Sequence, residues 1–260
     1  MTIEYILAGL VILTLLPLSQ MSMAALVTYQ QNQMEQETAY PMVKAILDAL
    51  LLSPGSPPDW GTSSQAPTQL GLASGNAIET YVLDISKVSR LKAIPPGDAR
   101  ELMGLGEGCN FNLTFAPVLN IRLTNTSNSY RITLVDYRGF RVPNVNITAL
   151  YVPNSFENGK MYSSKSTATG ATGECTLSFD WLPNHFLIVA ASQFGVKSTQ
   201  TFPSDLSIHV EGNYVFQSDY PPIKVMSYAT GSMNAPNTET TFIFAEIEDT
   251  TYYVRLALRR

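Results

Sequence analysis

Between Tyr5 and Val27 the chain reads YILAGLVILTLLPLSQMSMAALV, without one charged side chain. A helix needs about 20 apolar residues to cross a bilayer core, so the stretch is long enough, and Pro17 is tolerated there as a kink. Thr28 to Thr38 (TYQQNQMEQET) continues as polar helix formers without glycine or proline. Val43, Ile46, Leu47, Leu50 and Leu51 then recur at three- and four-residue spacing, the stripe of an amphipathic helix that must pack against something. Pro41 is a kink position, and Ser53-Pro54-Gly55 with Pro57-Pro58 ends the pattern. A helix from about Thr2 to Leu52 would be roughly 75 Å long. Residues 1–52 are therefore expected to form a transmembrane anchor that runs on into an amphipathic stalk.

Residues 53–109 are rich in Pro, Gly, Ser and Thr at their start and read as a connector with short helices. Ile85 to Ala93 predicts one helix, begun by Asp84 or Ser86 as N-cap. Pro95-Pro96-Gly97-Asp98 opens a second, Ala99 to Met103, closed by Gly104. The Gly104-Leu105-Gly106-Glu107-Gly108 run lacks the strand before it and the helix after it that a phosphate-cradling loop requires, so it reads as a turn. From Asn110 the period changes to two. Phe111, Leu113 and Phe115 alternate, as do Leu119, Ile121 and Leu123. Further strands are predicted at Tyr130–Asp136, Asn144–Val152, Cys175–Trp181, Phe186–Ser192, Leu206–Val210, Tyr214–Gln217, Ile223–Tyr228, Thr241–Ile247 and Tyr252–Leu258. Short strands at this spacing, with Gly, Pro and Asn between them, indicate an antiparallel sandwich or barrel. The expected class is α+β, mainly β: a long N-terminal transmembrane and stalk helix, then a β-rich extracellular head over 110–260.

Composition agrees with that division. Charged residues make up 14% of the chain, against about 25% in ordinary soluble domains. Ser, Thr, Asn and Tyr supply the polar surface instead. The net charge of -5 and the scattered basic residues, of which Lys87, Arg90 and Lys92 are the densest group, speak against nucleic acid as a partner.

For the apolar run, an uncleaved signal-anchor is the favoured reading. A cleavable signal peptide, with an apolar region from Ile6 to Leu16 and small residues at Ala24 and Ala25, would want a basic start, and no Lys or Arg precedes Lys44. A buried core helix is the third reading. The triplets Asn112-Leu113-Thr114, Asn125-Thr126-Ser127 and Asn146-Ile147-Thr148 are N-glycosylation sequons, which favour an extracellular C-terminal bulk and a single-pass cell-membrane protein. Cys109 and Cys175 have two open readings: a disulfide closing a long loop in an oxidising compartment, or two buried thiols.

The helix-to-stalk arrangement resembles that of archaeal type IV pilin-like surface proteins. The matching features are Glu4 at the helix start, the run Tyr5 to Val27 and the stripe Val43 to Leu51. LLLSPGSPPDW (Leu50–Trp60), LGLA (Leu70–Ala73) and YVLDISKVSRL (Tyr81–Leu91) are similar to segments that follow the anchor in such proteins. The resemblance implies a helix half packed on a β-rich head, and Glu4 as a helix-start carboxylate used in assembly. Tyr130 to Phe202 is also similar to carboxypeptidase regulatory-like, transthyretin-like sandwich domains. Its matching residues are Asp136, Gly139 to Ile147, Thr172 to Leu177 and Val189 to Gly195. That likeness implies a sandwich over 130–202 that props, spaces or binds, inserted within the head or lying in series with it.

No catalytic signature, cofactor motif or metal-ligand cluster is found. His185 sits in a Pro-Asn-His turn and His209 in a strand, neither beside a nucleophile signature. Glu239, Glu246, Glu248 and Asp249 could supply paired carboxylates, but Glu246 and Glu248 read as the solvated edge of a hairpin. The expected function is a structural or adhesive surface protein, a pilin-like subunit that either assembles through its N-terminal helix into a homo-oligomer or filament or stands alone. The expected partners are the lipid bilayer and a glycan or surface protein. The other readings are an anchored binding module and an accessory subunit of a membrane complex.

Overall fold

A computed structural model describes residues 42–75, 79–126, 129–179, 185–202, 206–231 and 238–259. Glu4, the run Tyr5 to Val27 and the polar stretch Thr28 to Thr38 lie outside these residues. No helix among the described residues is long and apolar enough to cross a membrane.

Three helices are described: α1 (42–52), α2 (Ile85–Leu91) and α3 (Pro96–Leu102). The strands of the first half are β1 (Val82–Leu83), β2 (Asn110–Pro117), β3 (Leu119–Thr126), β4 (Ser129–Asp136), β5 (Asn146–Pro153), β6 (Lys160–Met161), β7 (Ser164–Ala168) and β8 (Glu174–Ser178). Then follow β9 (His185–Gln193), β10 (Val196–Phe202), β11 (Ile208–Glu211), β12 (Tyr214–Gln217), β13 (Met226–Ala229), β14 (Thr238–Ile247) and β15 (Thr250–Arg259). The described chain is mainly β, in several sheets whose pairings are antiparallel except for β1 with β14.

The head sheet has the order β1-β14-β15-β2-β13. Its inner face carries Phe111, Leu113 and Phe115 from β2 and Val254, Leu256 and Leu258 from β15, the period-two alternation that the sequence shows. Against this face lies α1. Val43, Leu47, Leu50 and Leu51 are all buried there, while Lys44 and Asp48 pair across one turn at 2.6 Å on the outer side. The stripe that had to pack against something packs on this core.

Residues 53–109 do more than connect. Trp60, Leu70, Leu72, Val88, Leu91 and Leu105 are buried in the same core. The connector also receives the end of α1: the Leu72 amide donates to the Leu50 carbonyl at 2.7 Å and the Ala73 amide to Ser53 at 3.0 Å. These bonds occupy carbonyls that the last helical turn leaves open. At α2, Asp84 is the N-cap, its carboxylate accepting from the Ser86 amide at 2.9 Å. The second short helix begins at Pro96, earlier than the sequence pattern placed it, because proline suits the first helical position.

β2 and β13 are neighbours in the head sheet although more than a hundred residues separate them, and the chain between builds three further sheets. The sandwich consists of β3-β4-β8 facing β10-β9-β5-β7. It begins at Leu119, ahead of the expected Tyr130, since β3 pairs with β4 and leaves the head sheet at the β2–β3 turn. Ile121, Ile132 and Leu134 meet Ile147, Leu187 and Val189 in its core. The opposite face of β5 and β9 is covered too: Leu150, Val152, Phe186 and Ile188 pack with Val210 and Val215 of a small β11-β12-β6 sheet. A strand buried on both faces reads as a continuous apolar run, and Phe186 to Ala191 is such a run.

Candidate functional site

A cavity of about 360 Å³ opens where the head sheet, the sandwich edge and the small sheet meet. Ligand pockets begin at roughly this size and favour such junctions. The β14–β15 turn forms one side. Ile247 pairs with Thr250, leaving Glu248 and Asp249 as a two-residue hairpin loop. Such turns demand a left-handed residue and usually recruit glycine or asparagine; here Glu248 takes that position, with φ 50°.

Three layers hold this turn in place. Thr250 and Thr251 accept from the amides of Thr199 and Lys197 on the sandwich edge strand β10, at 3.1 and 3.0 Å. Asp249 accepts from the Val210 amide of β11 at 3.3 Å, and Ser218 donates to Glu248 at 3.4 Å. Lys197 bridges Glu246 at 3.4 Å. Below, Tyr252 donates to the Ile223 carbonyl at 2.7 Å, and burial raises its phenol far above the ordinary value.

Burial raises both loop acids as well. Asp249 is also pushed up by Glu246, against the opposing pull of the Val210 amide, Lys197 and His209; Glu248 is drawn down by His209. Glu248 is still an exposed residue over its whole surface, so the shift on half-buried Asp249 carries the greater weight. His209 lies on β11 with its ring stacked on Phe216 at 5.1 Å and 12°. The carboxylates expected on a solvated hairpin edge thus diverge. Glu246 is an ion-pair partner, while Glu248 lies in the turn and, with Asp249, lines the cavity.

A second surface feature lies on the outer face of the head sheet. Tyr137 and Tyr253 stack at 4.6 Å and 7°; Phe242 sits 5.0 Å from Tyr253 and 5.9 Å from Phe244. The Arg138 guanidinium lies over both Tyr137 and Phe140. Phe140, Phe242 and Phe244 are 66%, 53% and 51% exposed, so these rings form an aromatic surface and not a core.

The remaining candidates fall apart in space. Cys109 packs against the head core and Cys175, on β8, against the sandwich core, so the two cysteines border different cores. Burial raises the Cys175 thiol. His185 is next to Tyr130, with Nε2 2.6 Å from the hydroxyl, and stacks on Tyr151 at 4.2 Å. Asn125 and Asn146 are exposed on β3 and β5, whereas half-buried Asn112 accepts from Thr114 and Ser227 at 3.2 and 2.9 Å on the outer head sheet. Among the described residues no group of His, Cys, Asp or Glu is disposed to hold a metal ion.

The cavity was not legible in the sequence. Its walls come from chain segments as distant as Ile85 and Tyr252, and the one local signal was the Glu248-Asp249 pair between two alternating strands. No family model matches the chain, and neither the curated proteins nor the solved structures provide a match.

Proposed function

We propose that the chain is a membrane-anchored extracellular surface protein of pilin-like build, structural or adhesive, with the head held outside the cell by an N-terminal helix. The observation that carries this reading is the burial of Val43, Leu47, Leu50 and Leu51 of α1 in the head core. Such a helix is rooted in the head, and it is preceded in sequence by a polar stretch of helix formers and an uncharged run from Tyr5 to Val27 long enough to serve as an anchor. Exposed Asn125 and Asn146 suit an extracellular head.

A second reading, an anchored module that binds a glycan or a protein, draws on the exposed aromatic surface around Phe242, Phe244 and Tyr253. Aromatic rings at a protein surface supply large, rigid contact area.

Immunogold labelling of intact cells with an antibody to the head separates these readings. Label is expected at the cell surface: along filaments for an assembling subunit, over the cell body for a solitary anchored protein. Label that appears only after the cells are opened would contradict both.

A further inference from the structure

The outer edge of β14 is open along most of its length, since β1 pairs with it only at Glu246 and Ile247. The two-residue hairpin loop makes Ile247 and Thr250 the first hydrogen-bonded pair of β14 and β15. The odd-numbered residues of β14 therefore bond to β15, and the even-numbered ones turn their backbone groups away from it. Glu246 shows this direction, its amide donating to the Tyr81 carbonyl at 2.9 Å. Thr240, Phe242 and Phe244 point the same way, and among the described residues no backbone group meets theirs.

An unpaired strand edge is a template for another strand, and proteins guard such edges with charge, proline, a bulge or brevity. The other described edges are guarded. β3 carries Arg122, β7 Lys165, β8 Glu174 and β10 Lys197, and β11 and β13 have four residues each. From Thr240 to Ala245 (TTFIFA) β14 has no charge and no proline, and its register with β15 runs without a bulge. Phe242 and Phe244 stand half-exposed on the outer face of this same stretch. Segments that are β-prone, uncharged and free of proline and glycine pair with identical copies of themselves.

We propose that β14 is a docking edge for a second copy of this chain, joined to it as an antiparallel pair of β14 strands. The register follows from the open stretch. Tyr81 and β1 occupy the edge at Glu246 and beyond, so the copy fits centred on Thr241. Thr240 of each chain then lies opposite Phe242 of the other, each such pair exchanging both its N–H···O bonds. The two Phe242 rings come diagonally across the seam on the outer face, within reach of one another. This covers part of the aromatic surface on which the binding-module reading draws. The inference rests on the strand edge, not on that reading, and it does not depend on where the chain resides.

The test is hydrogen–deuterium exchange of the full chain in detergent, resolved to single amides and followed from dilute to concentrated protein. Exchange at Thr240, Phe242 and Phe244 is expected to slow at least tenfold as concentration rises, while Phe194 in the exposed β9–β10 turn keeps one rate. Thr240→Lys, at an exposed position, gives this edge the charge that the others carry and is expected to abolish the slowing without lowering the melting temperature of the dilute chain. Thr240→Pro removes one outward amide and no bond to β15, and is expected to do the same. Association through the N-terminal helix alone would leave the three amides fast at every concentration, and that result would overturn the proposal. Slow exchange at every concentration, the mark of an edge covered by the chain's own segments, would also overturn it, as would concentration-dependent slowing retained in either variant.

Discussion

Trp60→Ala is expected to unfold the head at temperatures where the sandwich is still intact. Trp60 is fully buried, and its indole Nε1–H donates to the Gly71 carbonyl at 2.8 Å. Removing a core tryptophan costs about 3–5 kcal/mol, a large share of the roughly 5–15 kcal/mol that holds a domain together. The surroundings have little scope to collapse into the gap, because the connector is packed backbone to backbone. A Cβ at Gly71 would stand 2.3 Å from the Gly55 amide nitrogen and 2.4 Å from the Ser53 carbonyl; one at Gly61 would stand 2.2 Å from Ser86 Oγ. Arg90 adds to the lock by donating to the carbonyls of Trp60 and Ser63. Differential scanning calorimetry should show one transition lost or moved down by well over ten degrees, with the other unmoved. A single transition shifted as a whole would mean that head and sandwich unfold as one unit.

Lys87→Met is the second large effect. Lys87 has no exposed surface, and its ammonium donates to the carbonyls of Pro54 and Ala73 at 2.9 and 2.8 Å, tying two points of the connector's first part to α2. Methionine keeps the volume of the stem and orphans both carbonyls, at about 1–3 kcal/mol each. Desolvation lowers the Lys87 pKa, with Asp84 and Asp59 pulling it back up. The sign of the pH dependence follows. Between the lowered folded value and the ordinary 10.5 the unfolded chain binds more protons than the folded one. The parent should therefore gain stability from Lys87 as pH rises through that window, since a neutral amine still has two N–H groups for two carbonyls. Methionine lacks this gain. The gap between parent and variant, measured by denaturant midpoint, should widen with pH; a gap that narrows would show that the positive charge itself is what the carbonyls need.

These two residues mark where the sequence was legible and where it was not. The stripe of α1, the Asp84 cap and the alternation in β2, β3, β4 and β15 could be read directly, because each is a local pattern with one physical cause. Strand β7, SKSTA, and strand β10, VKSTQTF, could not. They are polar strands held by their neighbours β5 and β9, so no apolar alternation announces them. The predicted strand Ile223–Tyr228 is realised only from Met226, since Pro221 and Pro222 lead in and Ile223 is used to receive the Tyr252 hydroxyl. The connector looked like a surface loop because its Pro, Gly and Ser content is that of a loop. Its glycines instead permit close backbone approach around Trp60, and a lysine in the densest basic group of the chain is wholly enclosed. The cavity acids were visible as a pair, but their enclosure depends on β10 and β11 arriving from elsewhere.

Alkaline carbonate extraction of native membranes tests the anchoring most directly. The full chain should stay with the bilayer and be released only by detergent, while a chain beginning at Met42 should partition into the aqueous fraction. Recovery of the full chain, with Tyr5 to Val27 still attached, in the detergent-free supernatant would contradict it.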